Sequence, residues 1–337
     1  MFFSNFVSKF LIMEHLALIR KPIEHDLQEF TRHFRESLTH ANGLLSTALA
    51  HISSKTGKQL RPMLTLLTAN NYGKVTDVTH RAAVALELLH TASLIHDDVV
   101  DESSERRGLP SVNAIYNNKV AVLVGDYVLS TCLLNASFAH NHQIMHTLSR
   151  LGQTLAAGEI LQLQNIKNTE ISEDVYYEVI HQKTAALFGA CAAIGAMSVD
   201  APEQEIEAVR QFGHNIGMIF QIRDDIFDYF NSPLIGKPTG NDMTEGKLTL
   251  PAIYALNNTD FEPMLALARK VKARTINSDE IAVLVEFTKR NGGIDYAEQR
   301  MRHYYAKGRV YIDENVKNAE IREALSAYLD YVMQRTY

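Results

Sequence analysis

Two acidic runs share one spacing: Asp97-Asp98-Val99-Val100-Asp101 and Asp224-Asp225-Ile226-Phe227-Asp228. Each follows a stretch whose apolar residues recur at helical spacing, so each is expected at the C-terminal end of a helix. Carboxylates there oppose the helix dipole by roughly 0.3–1 kcal/mol each, and aspartate is a poor helix former. Divalent cations would offset both costs. The first and last aspartates of each run are i and i+4, about 6 Å apart on one helical face, so both can reach a common metal centre. Hard oxygen donors with open positions suit Mg²⁺, which keeps waters and accepts phosphate oxygens. One such run reads equally well as a solvated helix end. Two copies on apolar helices point to a phosphate ligand.

Cations that could meet that phosphate recur around both runs. They are Lys58 and Arg61, then Arg106 and Arg107, then Lys183, Lys237 and Lys247. Arginine offers forked donors and lysine a point charge. Singly, each is an ordinary solvated charge, and the case rests on the ensemble.

The elements that must position these residues are helices. Val84, Leu88, Leu89, Ala92, Ile95 and Val99 share one face of a long helix leading into the first run. Further helices are expected at about 119–139, 142–165, 172–199, 202–230, 247–258, 279–291, 295–313 and 318–335. Asp200 before Pro202 and Glu203 reads as a capped start, and Pro251 suits an early helical position. The pattern breaks after each acidic run, at 102–110 and 231–242, so these loops are expected at one mouth. No linker or fixed-period repeat divides the chain, and residues 1–337 read as one all-α domain.

Composition agrees. In 337 residues, 46% hydrophobic with 17 Gly and 8 Pro, there is material for a large core and little punctuation for strands. With 33 Lys+Arg against 39 Asp+Glu, the global basic footprint of a nucleic-acid binder is missing. Cys132 and Cys191 are too few for a disulfide framework or structural zinc site, which fits a reducing cytoplasm. Residues 1–12 are apolar but too short to span a bilayer and lack a basic leader, so an extra or disordered segment is expected, with translation starting at Met13. Membrane contact is expected to be peripheral at most.

From about Lys55 to Leu256 the residues resemble the trans-isoprenyl diphosphate synthases, or polyprenyl synthetases. The first aspartate run with its trailing Arg106-Arg107-Gly108, the Lys183-Thr184 pair, Phe220-Gln221 before the second run, and Gly246-Lys247 stand in family order. The resemblance implies antiparallel helices around a deep cavity with the two runs facing across its mouth, and a homodimer. It implies head-to-tail condensation: an allylic diphosphate such as the farnesyl or geranylgeranyl ester ionises, isopentenyl diphosphate attacks the cation, and a proton is lost. Three Mg²⁺ ions assist in the family, Asp97 and Asp101 holding two and Asp224 the third, with Asp98, Asp225 and Asp228 supporting them. Arg106, Lys183, Lys237 and Lys247 match the donors to the allylic diphosphate. Lys58, Arg61, His90 and Arg107 match the isopentenyl diphosphate site. Thr184 and Gln221 would turn oxygen dipoles toward the carbocation. For His90 and Gln221, a hydrogen-bonded core residue is the ordinary alternative.

Three rival readings are weaker. His96 beside Asp97 suggests a metal phosphohydrolase, which would leave the second run and the arginine pair unexplained. A terpene cyclase shares the first run, whereas the second keeps the elongating form. A non-catalytic subunit of a heteromeric synthase would be expected to lose aspartates that are all present here. Product length in the family depends on residues one turn before the first run. Ala92 and Ser93 are small, so the tail is expected to pass toward Cys132, Leu133 and Leu134. The expected product is medium to long, roughly six to nine isoprene units or about C30–C45, as in quinone side chains; a farnesyl or geranylgeranyl product is the alternative.

Overall fold

The computed structural model describes residues 12–41, 43–54, 57–106, 108–168, 170–230 and 239–335. Residues 1–11 of the extra or disordered segment expected at 1–12, Arg107, Lys237 and residues 231–238 of the expected second loop lie outside these residues, whereas Ile12 is buried in the core at the start of a helix. The helices are α1 (12–20), α2 (Glu24–Ser37), α3 (Gly43–Ser53), α4 (Leu60–Tyr72), α5 (Asp77–Val100), α6 (Val112–Tyr116), α7 (Asn118–Phe138) and α8 (His142–Lys167). They continue as α9 (Glu173–Ile180), α10 (Ala186–Met197), α11 (Glu203–Phe227), α12 (Asn241–Thr244), α13 (Leu250–Asn257), α14 (Glu262–Lys272), α15 (Ser278–Arg290), α16 (Gly293–Asn315) and α17 (Ala319–Gln334). Among the described residues the only strands are β1 (Glu105–Arg106) and β2 (Leu109–Pro110), a two-residue antiparallel ladder after the first acidic run.

The all-α expectation holds, and both acidic runs end long helices, α5 and α11. A capping box from Thr76 and Thr79 starts α5, whose Leu86, Leu88, Leu89, Ala92 and Ile95 face the core. Seven helices escaped the sequence reading: α1, α2, α3, α4 and α14, and the short α6 and α12. In α4, Pro62 through Ala69 are all buried, so no polar face marks a period. In α2, Leu27, Phe30 and Phe34 do recur at helical spacing. Asp200 does not cap α11: it sits at φ 55°, and Pro202 is the N-cap residue without a side-chain bond. Pro251 lies in the first turn of α13, as expected.

The largest departure is at 172–199. Instead of one helix, α9 runs into a π-helical turn at His181–Ala185 and only then into α10. Leu187 through Met197 of α10 are all buried, and this helix packs against α4, α5, α8 and α11. Its small residues let backbones meet: a Cβ at Gly195 would be driven into Thr65 O and Thr68 Oγ1 of α4. Gly195→Ala is therefore expected to cost about 1–3 kcal/mol by overpacking, read as a lower denaturant midpoint. Gly152→Ala is the control, since its Cβ meets nothing nearer than Leu89 Cδ1 at 3.9 Å.

Candidate active site

α5, α8, α9, the π turn, α11 and the segment before α13 enclose a cavity of about 480 Å³. Asp97 lines it from one side, and Asp224 and Asp225 from the other. Burial and the nearby Glu159 carboxylate push Asp97 up to about 6, against the pull of Lys183 and Arg106. It is thus an anion at neutral pH held in surroundings that favour a cation beside it. Asp101 is exposed at the end of α5, on the solvent side of the same face.

The other aspartates are committed to protein donors. Asp98 is buried and accepts from Arg106 Nε at 2.7 Å, which fixes that guanidinium at the rim. Asp225 is buried and accepts from Tyr176 Oη at 2.6 Å and Gln221 Nε2 at 2.8 Å; burial lifts it to about 7. Asp228 accepts from the backbone N–H groups of Asn241 and Asp242, at 2.9 and 3.2 Å, and so anchors the start of α12. That anchoring brings Asp242 to the cavity wall, a carboxyl the sequence reading missed. Burial and repulsion from Asp228 and Asp225 raise it well above the usual range.

Among the described residues no three His, Cys, Asp or Glu groups gather closely enough to cage a metal ion alone. The carboxylates are distributed instead as one or two donors on each wall of a cavity. This arrangement suits magnesium, which completes its octahedron with water and substrate phosphate. Hard oxygens, crowded negative charge and open positions therefore fit the group.

Lys183 and Thr184 are neighbours in sequence, yet both line the cavity, because they occupy the π turn. Lys183 Nζ is paired with Glu159 and donates to Gln162 Oε1 at 3.0 Å; neither α8 partner was foreseen. Thr184 Oγ1 donates to Gln221 Oε1 at 2.8 Å, so Thr184, Gln221, Asp225 and Tyr176 form one chain. The Gln221 oxygen, expected to face a carbocation, is engaged by that hydroxyl. Lys247 lines the cavity and pairs with Glu245 at 2.6 Å.

A second group of cations collects beside Asp224. Arg61 lies over the Phe188 ring at 4.9 Å, Phe188 and Phe220 are 5.2 Å apart, and Arg335 lies over Phe220 at 3.8 Å. Arg335 donates to Asp224 Oδ1 at 2.6 Å and Phe220 O at 2.7 Å, whereas the sequence reading gave it no role. Its position follows from α17, whose buried Tyr328 bonds Leu60 O at 2.9 Å and seats the helix beside α4. Lys58 sits over Tyr331, close enough to Arg335 for the two charges to disfavour each other. The Nε atoms of Arg61 and Arg335 are buried without a hydrogen-bond partner, two donors suited to an anion. His90 is buried on the cavity wall nearby.

Two expectations about the tail need correction. Ser93 lines the cavity, but Ala92 is turned into the core at 2% exposure. Cys132 is buried, whereas Leu133 and Leu134 are about half exposed on the outer face of α7 and cannot receive a tail inside. One turn below Ser93 lies Leu89, whose Cδ1 faces Gly152 of α8. His96 points away from Asp97 toward α7, 3.3 Å from Asp126, in space left by Gly125, so the phosphohydrolase reading loses its ligand.

Comparison with known proteins agrees with this geometry. Residues 42–287 match the polyprenyl synthetase family model. An all-trans-nonaprenyl-diphosphate synthase (geranyl-diphosphate specific) from Rhodobacter capsulatus is 35% identical, over 84% of this chain and 86% of that one. A solved geranylgeranyl pyrophosphate synthase from Bacteroides thetaiotaomicron superposes with a TM-score of 0.84 at 49% identity, covering 96% of this chain and 100% of that one. A polyprenyl synthase from Caulobacter crescentus, complexed with calcium and isoprenyl diphosphate, superposes with a TM-score of 0.89 at 29% identity, covering 96% and 98%.

Proposed function

Because this chain belongs to the polyprenyl synthetase family and is a trans-prenyl diphosphate synthase, we propose that it is a self-sufficient elongating enzyme. It joins isopentenyl diphosphate to an allylic diphosphate on the residues lining the 480 Å³ cavity. The observation that carries the reading is the pairing of Asp97 with Asp224 and Asp225 across one cavity that also holds Arg106 and Lys183.

The allylic carbon–oxygen bond breaks with its electron pair leaving on the diphosphate, so charge must be met where it develops. Arg106, steadied by Asp98, and Lys183, steadied by Glu159 and Gln162, stand at that end of the cavity. Mg²⁺, when bound by Asp97, Asp101 and Asp224, would neutralise the leaving diphosphate as a Lewis acid. The other diphosphate must stay intact. We assign it to the Lys58, Arg61 and His90 side, where Arg335 adds a fourth cationic or donor group. Leu94, Val179, Ile180 and Phe220 supply an apolar wall that keeps water from the carbocation.

The product is proposed to be of medium to long chain, about C30–C45, supported by the small Ser93 on the cavity wall one turn before Asp97. The 49% identity to a geranylgeranyl pyrophosphate synthase favours a shorter product as the second reading. We also propose a homodimer through the outer face of α7, where Leu123, Leu133, Leu134 and Phe138 are 68%, 49%, 53% and 47% exposed. This helix is long and apolar enough to cross a membrane by length and composition, but its inner face is packed in the core.

Incubation with farnesyl diphosphate, isopentenyl diphosphate and Mg²⁺ is expected to give a ladder of polyprenyl products that EDTA abolishes, read by mass spectrometry after dephosphorylation. The end of the ladder decides between the two lengths, and the mass of the active species by light scattering tests the pairing of chains. Absence of any elongation from farnesyl or shorter primers would overturn the reading of a self-sufficient enzyme.

A further inference from the structure

The π turn has two sides. Lys183 and Thr184 face the catalytic cavity, while His181 and Ala185 face an open groove of about 340 Å³ behind it, bounded by α8, α10 and α11. Arg150 and His146 project from α8, Arg210 and His214 from α11, and the floor of α10 is small around Gly189. Among the described residues lining it there is no aspartate or glutamate, in a chain whose acids outnumber its bases. Glu207 holds Arg210 Nε at 3.0 Å from outside the lining, and Lys307 contributes a further positive charge near His214. His214 Nε2 and His181 Nδ1 are 3.0 Å apart and share one proton between two imidazoles. Burial, His181 and Lys307 together push His214 down to about 4, so it is neutral at physiological pH, and an anion would reverse that balance.

We propose that this groove is a second diphosphate-binding site, separate from the catalytic cavity, and that its occupancy lowers turnover through the π turn that carries Lys183. Two guanidiniums from facing helices match the forked geometry of phosphate oxygens, and the histidine pair supplies N–H donors, one ring on the turn and one on α11. A π turn is a local departure from the regular helical ladder, so a ligand that pulls on His181 acts on the same five residues that aim Lys183. The choice of diphosphate rests on the proposed reaction, which releases inorganic diphosphate at every condensation. The sign of the effect is that of product inhibition.

The test uses full-length protein labelled at histidine, titrated with inorganic diphosphate in the presence of EDTA and followed by the imidazole NMR signals of His181 and His214. Both signals are expected to move with one midpoint, and Arg150→Gln/Arg210→Gln is expected to raise that midpoint about tenfold or more. The His90 signal, in the catalytic cavity, reports binding there independently. In turnover assays inorganic diphosphate is expected to depress kcat in the wild type, an effect the double variant loses while keeping its basal rate. Movement with isopentenyl diphosphate in place of inorganic diphosphate also carries the site and identifies the substrate as its ligand. Signals that stay fixed with both, or that move equally in the double variant, overturn it. The NMR arm decides the groove even if elongation fails, and the elongation assay decides the reaction even if the groove is empty.

Discussion

Alanine at Asp97 is expected to lower the elongation rate by roughly a thousandfold, about 4 kcal/mol of transition-state stabilisation, with the fold intact. Asp97 lies on the cavity wall, and its carboxylate accepts no side-chain hydrogen bond among the described residues, so its removal is expected to take a ligand at little cost to the scaffold. Asp224 is different. It carries Arg335, a guanidinium only 5% exposed, and deleting the carboxylate would leave that charge buried without its partner. Asp224→Asn is therefore the informative variant: a loss of rate comparable to Asp97→Ala, accompanied by a lower denaturant midpoint that Asp97→Ala does not show. Steady-state rates at saturating Mg²⁺ and unfolding curves for both proteins separate the two effects. Near-normal rates in either would reject the assignment of metal-binding aspartates.

The second large effect is on product length. Ser93→Phe is expected to place an aromatic ring across the cavity one turn below the aspartates and to move the end of the product ladder down by several isoprene units. Ala92→Phe, the neighbouring change, should behave otherwise. Its side chain is directed into the core, where a ring would be forced against fixed neighbours at a cost of about 1–3 kcal/mol. Mass spectrometry of the products and thermal unfolding of both variants give opposite patterns if the orientation of α5 is as described. Truncation by Ala92→Phe with unchanged products from Ser93→Phe would show that the tail runs along the other face.

The contrast between these two residues shows where the sequence stops being readable. Asp97 and Asp224 are legible because a helix end dense in carboxylates conflicts with local physics wherever it occurs. Ser93 and Ala92 are adjacent, and which of them meets the cavity is decided by the rotation of α5 against α7 and α10, a long-range property. Glu159, Tyr176, Asp242 and Arg335 were missed for the same reason. Each is an ordinary residue in its own segment and acquires a role only through a partner from 14 to 111 positions away, Asp242 on Asp228 being the nearest and Arg335 on Asp224 the farthest. The same holds for whole elements. The nine helices expected from periodicity are present, one of them broken, while α4 was missed because it is buried on all sides.

That break at His181–Ala185 has a consequence for how the chain can vary. An α-helix turns about 100° per residue, so deleting any one residue between Ile180 and Ala186 would restore a regular helix and improve its local hydrogen bonding. It would also rotate everything on one side of the deletion by that angle. Either Lys183 and Thr184 would leave the cavity, or the small faces of α10 that meet Thr65, Thr68 and Arg210 would be replaced by larger ones. Point changes can be absorbed here one at a time, but the number of residues cannot change, and this five-residue turn is where insertions and deletions are expected to be least tolerated in the chain.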